Sequence, residues 1–150
     1  MLVTDDDVER HNPMARTIFT PAELEYLSSQ RLGRIATVNA QGNPRVVPTG
    51  FAVNENRGTI ELGGRDVART RRAEDIRQNP EVALVIDDID DPVHWHVRGV
   101  SIRGVAALHP AGEQNSLPAP MSQRAWMEIT PSSIRSWGLA EEAGENGVPS

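Results

Sequence analysis

From Leu32 onward the apolar residues recur every second position, and this alternation governs what the chain can fold into. Ile35 and Thr37 face one way and Leu32, Ala36 and Val38 the other, until Gln41-Gly42-Asn43-Pro44 breaks the run. A second strand is expected over Arg45 to Val53, a second turn over Asn54 to Gly58 and a third strand over Thr59 to Gly63, giving a meander. Val82 to Ile86 is an unbroken apolar run of strand length, which predicts a strand buried on both faces. Val97 to Leu108 alternates again, with Val100, Ile102, Gly104 and Ala106 on one side, and Ala125 to Ile129 with Ile134 to Trp137 completes the β pattern. Between these, Asp87 to Val93 reads as an acidic turn and Gly112 to Pro120 as a loop.

Helical signals are confined to two places. Thr20-Pro21-Ala22-Glu23 is a capping box, followed by Leu24 and Leu27 at helical spacing, and predicts a short helix ending near Gln30. Asp66 to Gln78 is the second, stopped by Asn79-Pro80. Strands that do not alternate with helices exclude a Rossmann sheet, and Gly63-Gly64 is no dinucleotide fingerprint. The expectation is a mainly β fold, an antiparallel barrel of about six strands with short flanking helices. It should occupy residues 20–140 as one domain, with 1–19 and 141–150 as flexible ends.

Composition removes whole classes of chemistry. The 15 cations are all Arg against 21 acids, a net charge of −6, so Lys-based catalysis is excluded. A pI near 5.2 argues against a nucleic-acid partner. The absence of Cys removes disulfides, thiolate nucleophiles and Cys-ligated metals. No apolar run approaches ~18 residues and the start lacks a signal pattern, so no membrane partner and a cytoplasmic location are expected.

Charge is nonetheless concentrated in one stretch. Residues 65–77 hold five Arg (Arg65, Arg69, Arg71, Arg72, Arg77) against Asp66, Glu74 and Asp75, a local excess of two positive charges. If Thr70 is the N-cap, Arg71 and Arg72 sit where cations oppose the helix dipole, and a bound anion reverses that penalty. Backbone N–H groups, the Thr hydroxyl and two guanidinium forks then form a phosphate site. The competing reading is a solvated helix capped at Asp66, with Arg paired to Glu74 and Asp75. Pro48, inside an otherwise good strand, requires an edge or a bulge there. His94-Trp95-His96 places two imidazoles on one strand face, fewer than the three protein ligands of a catalytic zinc, and no metal is expected. Ser101 and Ser133 lack a nucleophile motif, so no catalytic residue is assigned.

The succession of the capped helix, Leu32-Gly33-Arg34-Ile35-Ala36-Thr37-Val38, Arg45-Val46-Val47-Pro48-Thr49-Gly50-Phe51, Thr70-Arg71-Arg72 with Ile76 and Asn79-Pro80, and Val82 to Asp88 resembles the pyridoxamine 5′-phosphate oxidase-like superfamily. Ile60 to Asp66 and Ser136-Trp137-Gly138-Leu139 look like the branch that uses the deazaflavin coenzyme F420. The resemblance implies a six-stranded split β-barrel of the FMN-binding type, forming a homodimer with cofactor at the subunit interface. It carries the phosphate role to Thr70, Arg71 and Arg72, with Arg72 in a Lys position, and ring contacts to Arg45, Val46, Val47, Pro48 and Thr49 and to Leu62 and Gly63. Trp137 joins the cofactor-binding set through the Ser-Trp-Gly-Leu match. Two departures point away from vitamin B6 oxidation: Gly99 stands where the oxidases usually carry Gln, and their Trp and Arg ending is missing. The implied activity is hydride transfer between F420 and a small organic acceptor. The alternatives are an FMN-dependent enzyme or a non-catalytic flavin or deazaflavin carrier on the same fold.

Overall fold

The computed structural model describes residues 15–139. The expected flexible ends lie outside them, apart from residues 15–19, which rest on the domain: the Arg16 carbonyl accepts from the Ile134 amide and Phe19 is buried. Helix α1 (Pro21–Ser29) begins as the capping box requires, with Thr20 and Glu23 bonded reciprocally and Arg16 gripping Glu23 at 2.6 and 2.7 Å. The second helical region divides into a 3-10 turn (Val67–Arg69) and helix α2 (Arg71–Gln78).

Seven strands follow: β1 (Leu32–Val38), β2 (Pro44–Gly50), β3 (Ala52–Asn54), β4 (Thr59–Leu62), β5 (Glu81–Asp91), β6 (His96–His109) and β7 (Trp126–Trp137). They form one antiparallel sheet in the order β2-β1-β5-β6-β7-β4-β3. The expected six strands and three-strand meander are corrected here, because Arg45 to Val53 divides at Phe51. The partner strand explains the break: β1 begins at Leu32, opposite Gly50, so beyond Gly50 the chain has nothing left to pair with and crosses to β4. Strands β2 and β3 are therefore the two edges of the sheet, yet only Phe51 separates them. The sheet must curl until its edges meet, which gives the split barrel.

Two further boundaries differ from the sequence reading. The acidic stretch is strand up to Asp91 and turns only over 92–95, because Asp87 meets Arg34 at 3.1 Å and Asp88 meets Arg98 at 2.8 and 3.0 Å. Within β5, Val82, Leu84 and Ile86 face the core while Ala83 and Val85 are half-buried, so the strand is covered fully on one face only. The two expected final segments merge into β7. Its register slips between Arg103 and Gly104, a bulge that accommodates Pro131 within the strand.

Ile35, Ile60, Leu62, Leu84, Ile86, Ile102, Met127 and Ile129 fill the barrel, and Leu27 and Tyr26 of α1 cover one side. The Tyr26 hydroxyl donates to Asp88 at 2.9 Å; burial, then this bond, raises its pKa well above the ordinary phenol value. No described helix is long and apolar enough to cross a membrane.

Candidate functional site

The start of α2 decides between the two readings of the Arg-rich stretch. Thr70 has extended backbone (φ −75°, ψ 156°), and its hydroxyl accepts from the Ala73 amide at 3.2 Å and donates to the Val67 carbonyl at 2.7 Å. Thr70 is thus the N-cap, whereas Asp66 makes no side-chain cap bond. Arg71 and Arg72 occupy the first two helical positions, and no ion pair within 4.0 Å joins either to an acid among the described residues.

Arg72 is the unusual member. Its Nε is buried with no hydrogen-bond partner, and burial pulls its pKa below the ordinary guanidinium value. An unpaired donor of this kind is costly unless an anion completes it. Gly64 lies beside it: a Cβ there would be in ordinary contact with an Arg72 terminal nitrogen at 3.6 Å and tight against Val67 Cγ2 at 3.2 Å. Leu62, fully buried at the end of β4, and Gly63 immediately precede Gly64 in the chain and so lead to the Arg72 side chain.

Arg45 reaches the same region through a residue that sequence reasoning assigned only to solvent-facing ion pairs. The buried carboxylate of Asp75 accepts from Thr37 Oγ1 at 2.8 Å and Arg45 Nε at 3.1 Å, tying α2 to β1 and β2. Burial pushes the Asp75 pKa up, but these bonds and the charges of Arg45 and Arg71 outweigh it and leave the group below the usual carboxylate range. No local sequence signal marks this role, since both partners come from strands more than a helix away.

The remaining candidates are not all drawn together. Val46, Val47, Pro48 and Thr49 run away from α2 along β2, with Pro48 on the sheet edge as its missing N–H requires. Val46 is 66 % exposed on the outer face. Trp137 pairs with Gly99. The loop after α2 is attached to Ala106 through the Pro80 carbonyl, seven residues further along β6, so roughly 20 Å of strand separates Trp137 from the α2 end. His94 lies in the 92–95 turn and bonds Asp91 at 2.7 Å, while His96 bonds Asp90 at 2.5 Å, so the two imidazoles do not share a strand face.

Four buried or half-buried carboxylates, Glu23, Asp75, Asp88 and Glu128, have pKa values held below the ordinary range. The unfolded chain therefore binds protons at a higher pH than the native one, and stability rises with pH through the acidic range. Thermal melts are expected to be level above about pH 5 and to fall progressively from there toward about pH 3. Asp75→Asn should make that fall shallower, and a midpoint that holds or rises on acidification would contradict the assignment.

The curled sheet, with an arginine-bearing helix start set against the end of a strand, defines a split β-barrel protein. Over residues 19–138 the chain matches the pyridoxamine 5′-phosphate oxidase family, and it belongs to that family of oxidoreductases. Among its relatives, the 5a,11a-dehydrotetracycline/5a,11a-dehydrooxytetracycline reductase of Streptomyces rimosus subsp. rimosus is 40 % identical over 121 residues, covering 81 % of this chain and 84 % of that one. Its fold is also similar to that of an FAD binding protein from Mycobacterium smegmatis, with a TM-score of 0.60 at 22 % identity over 81 % of this chain and 96 % of that one. An F420 reductase gives a TM-score of 0.58 at 20 % identity, over 78 % and 98 % of the two chains.

Proposed function

We propose that the chain is a reductase in which coenzyme F420, bound in reduced form, supplies hydride to a small unsaturated organic acceptor. The observation that carries this reading is the buried, unpartnered Arg72 Nε at the α2 start, beside the Thr70 cap and the close approach of Gly64. Arg72, Arg71 and the free amides of the first turn hold an anionic group there, and Asp75 fixes the direction of Arg45 toward it. Leu62 and Gly63 offer their backbone to a flat ring at the end of β4, where Leu117 and Met121 cover Gly63. Arg65 and Arg69, both exposed, suit the acidic tail that distinguishes the deazaflavin from FMN. The relative that reduces dehydrotetracyclines supports both the direction of hydride transfer and an unsaturated acceptor.

The same reading includes a homodimer. The outer faces of β1, β2 and β5 expose Leu32 and Val46 and leave Ala83 and Val85 half-covered, an apolar surface suited to a second copy. Trp137 pairs with Gly99, seven residues along β6 from the Ala106–Pro80 bond, and in this reading it serves the site across subunits. An FMN- or FAD-dependent reaction is the second reading, favoured by the fold shared with a flavin-binding protein.

Titration with F420, FMN and FAD, followed by intrinsic tryptophan fluorescence with light scattering on the same samples, tests these points together. Tighter binding of F420 than FMN and a dimeric mass are expected. Equal or tighter FMN binding overturns the cofactor assignment, and a monomeric mass overturns the shared site.

A further inference from the structure

Outside this site, the outer face of β4, β6 and β7 carries a buried polar layer that the proposed reaction does not use. Glu61 and Glu128 stand opposite each other in the β4–β7 register, 0 % and 4 % exposed. Glu61 accepts from Asn54 Nδ2 at 3.0 Å and from the Ser116 amide at 2.5 Å. Glu128 accepts from Arg57 at 2.7 and 3.2 Å, Thr59 at 2.9 Å and His109 Nε2 at 3.2 Å. The segment 110–123 covers Glu61 through Ser116, while Arg57, Thr59 and His109 enclose Glu128.

His109 joins that segment to the sheet. Its Nε2 faces Glu128, its Nδ1 faces Glu113 at 2.5 Å, and its ring stacks on Trp126 with centroids 4.1 Å apart and planes 13° from parallel. A neutral imidazole has one N–H, so both carboxylate contacts are donated bonds only when the ring carries two protons. The charged groups around it are Glu113 from the segment, Glu128 from β7, Glu61 from β4 and Arg57 from the β3–β4 turn, the last already committed to Glu128. The other end of the segment lies on Gly63: a Cβ there would be 3.1 Å from both Leu117 Cδ1 and Met121 Cβ.

We propose that residues 110–123 form a strap over the Leu62–Gly63 edge of the cofactor site, latched by the Glu113–His109–Glu128 bridge. The gating part rests on the proposed function, which places cofactor against Leu62 and Gly63. Removing either His109 or Glu113 breaks the bridge, and the contact to half-exposed Glu113 is the one that can separate into water. The Ser116–Glu61 bond and the Leu117 contact are then held by the segment alone.

Amide hydrogen exchange at Ser116 and Leu117 reads the latch directly in the cofactor-free protein. After correction for intrinsic exchange, these amides should lose protection about tenfold in Glu113→Gln relative to the parent at the same pH, the scale of one charge-assisted hydrogen bond. His109→Gln should show the same released level, with β1 and β5 amides unchanged in both variants. Glu113 is half exposed, so its variant keeps the test valid if His109→Gln misfolds. Protection indifferent to Glu113→Gln overturns the latch. Cofactor release measured on the same variants should quicken, and unchanged release with a freed strap overturns the gating role. Since exchange is read without cofactor, a failure of cofactor binding strikes the proposed function and leaves the latch separately measured.

Discussion

Replacing Arg72 by Ala is expected to weaken cofactor binding about tenfold to a hundredfold while leaving the cofactor-free protein as stable as before, or slightly more so. The affinity loss is that of a charge-assisted bond, about 1.5–3 kcal/mol, removed from the anionic end of the ligand. The stability term has the opposite sign from an ordinary core truncation. Without an anion, the Arg72 charge opposes the helix dipole and its Nε is buried unpaired, so its removal relieves two costs against some lost packing of the side-chain stem. Arg71→Ala should show the same pattern more weakly, because its exposed side chain competes with water. A solvated helix face predicts the reverse, with affinity unchanged and a lower melting temperature. Titration and thermal melts on both single variants separate the two, and unchanged affinity in both removes the anion site.

What the sequence disclosed depended on how far away the cause of each feature lies. The Thr20 capping box and the Thr70 cap are written within four residues, and both form as expected. Core-facing alternation in β1 and β6 follows from the pleat alone, and Ile35, Val100, Ile102 and Ala106 are buried accordingly. The break at Phe51 was hidden because it is set by where β1 begins, not by any residue in the broken segment. Likewise Asp87 and Asp88 resemble a turn until Arg34 and Arg98 are known to stand beside them. Buried Asp75, Glu61 and Glu128 share this property, for each is an acid whose burial is tolerated only through partners from other elements. Of the candidate site, the charge excess of residues 65–77 was legible as chemistry, whereas which of its cations is buried and unpaired was not.

Gly99→Ala is expected to cost about 1–3 kcal/mol, lowering the melting temperature by roughly 4–10 °C, although it adds one methyl group. Its Cβ would fall 2.7 Å from Trp137 Cζ2, 2.9 Å from the Ile86 carbonyl oxygen and 3.0 Å from Asp87 Cβ. The carbonyl cannot withdraw without distorting the β5–β6 pairing in which Ile86 faces Val100 and Asp87 faces Gly99. The indole is the more movable neighbour, so part of the strain should appear as a displaced Trp137 and an altered tryptophan emission. Combining Gly99→Ala with Trp137→Ala removes the ring clash and keeps the carbonyl clash. The double variant should therefore be more stable than the sum of the single effects by about 0.5–3 kcal/mol. Strict additivity, or a Gly99→Ala protein that melts with the parent, would show that the ring does not occupy this space. Where the resemblance places a Gln in the oxidases, this chain has exchanged that side chain for a glycine under an indole. Gly99→Gln should accordingly displace Trp137 further than Ala does and weaken cofactor binding without touching Arg72, provided Trp137 serves the site across the dimer.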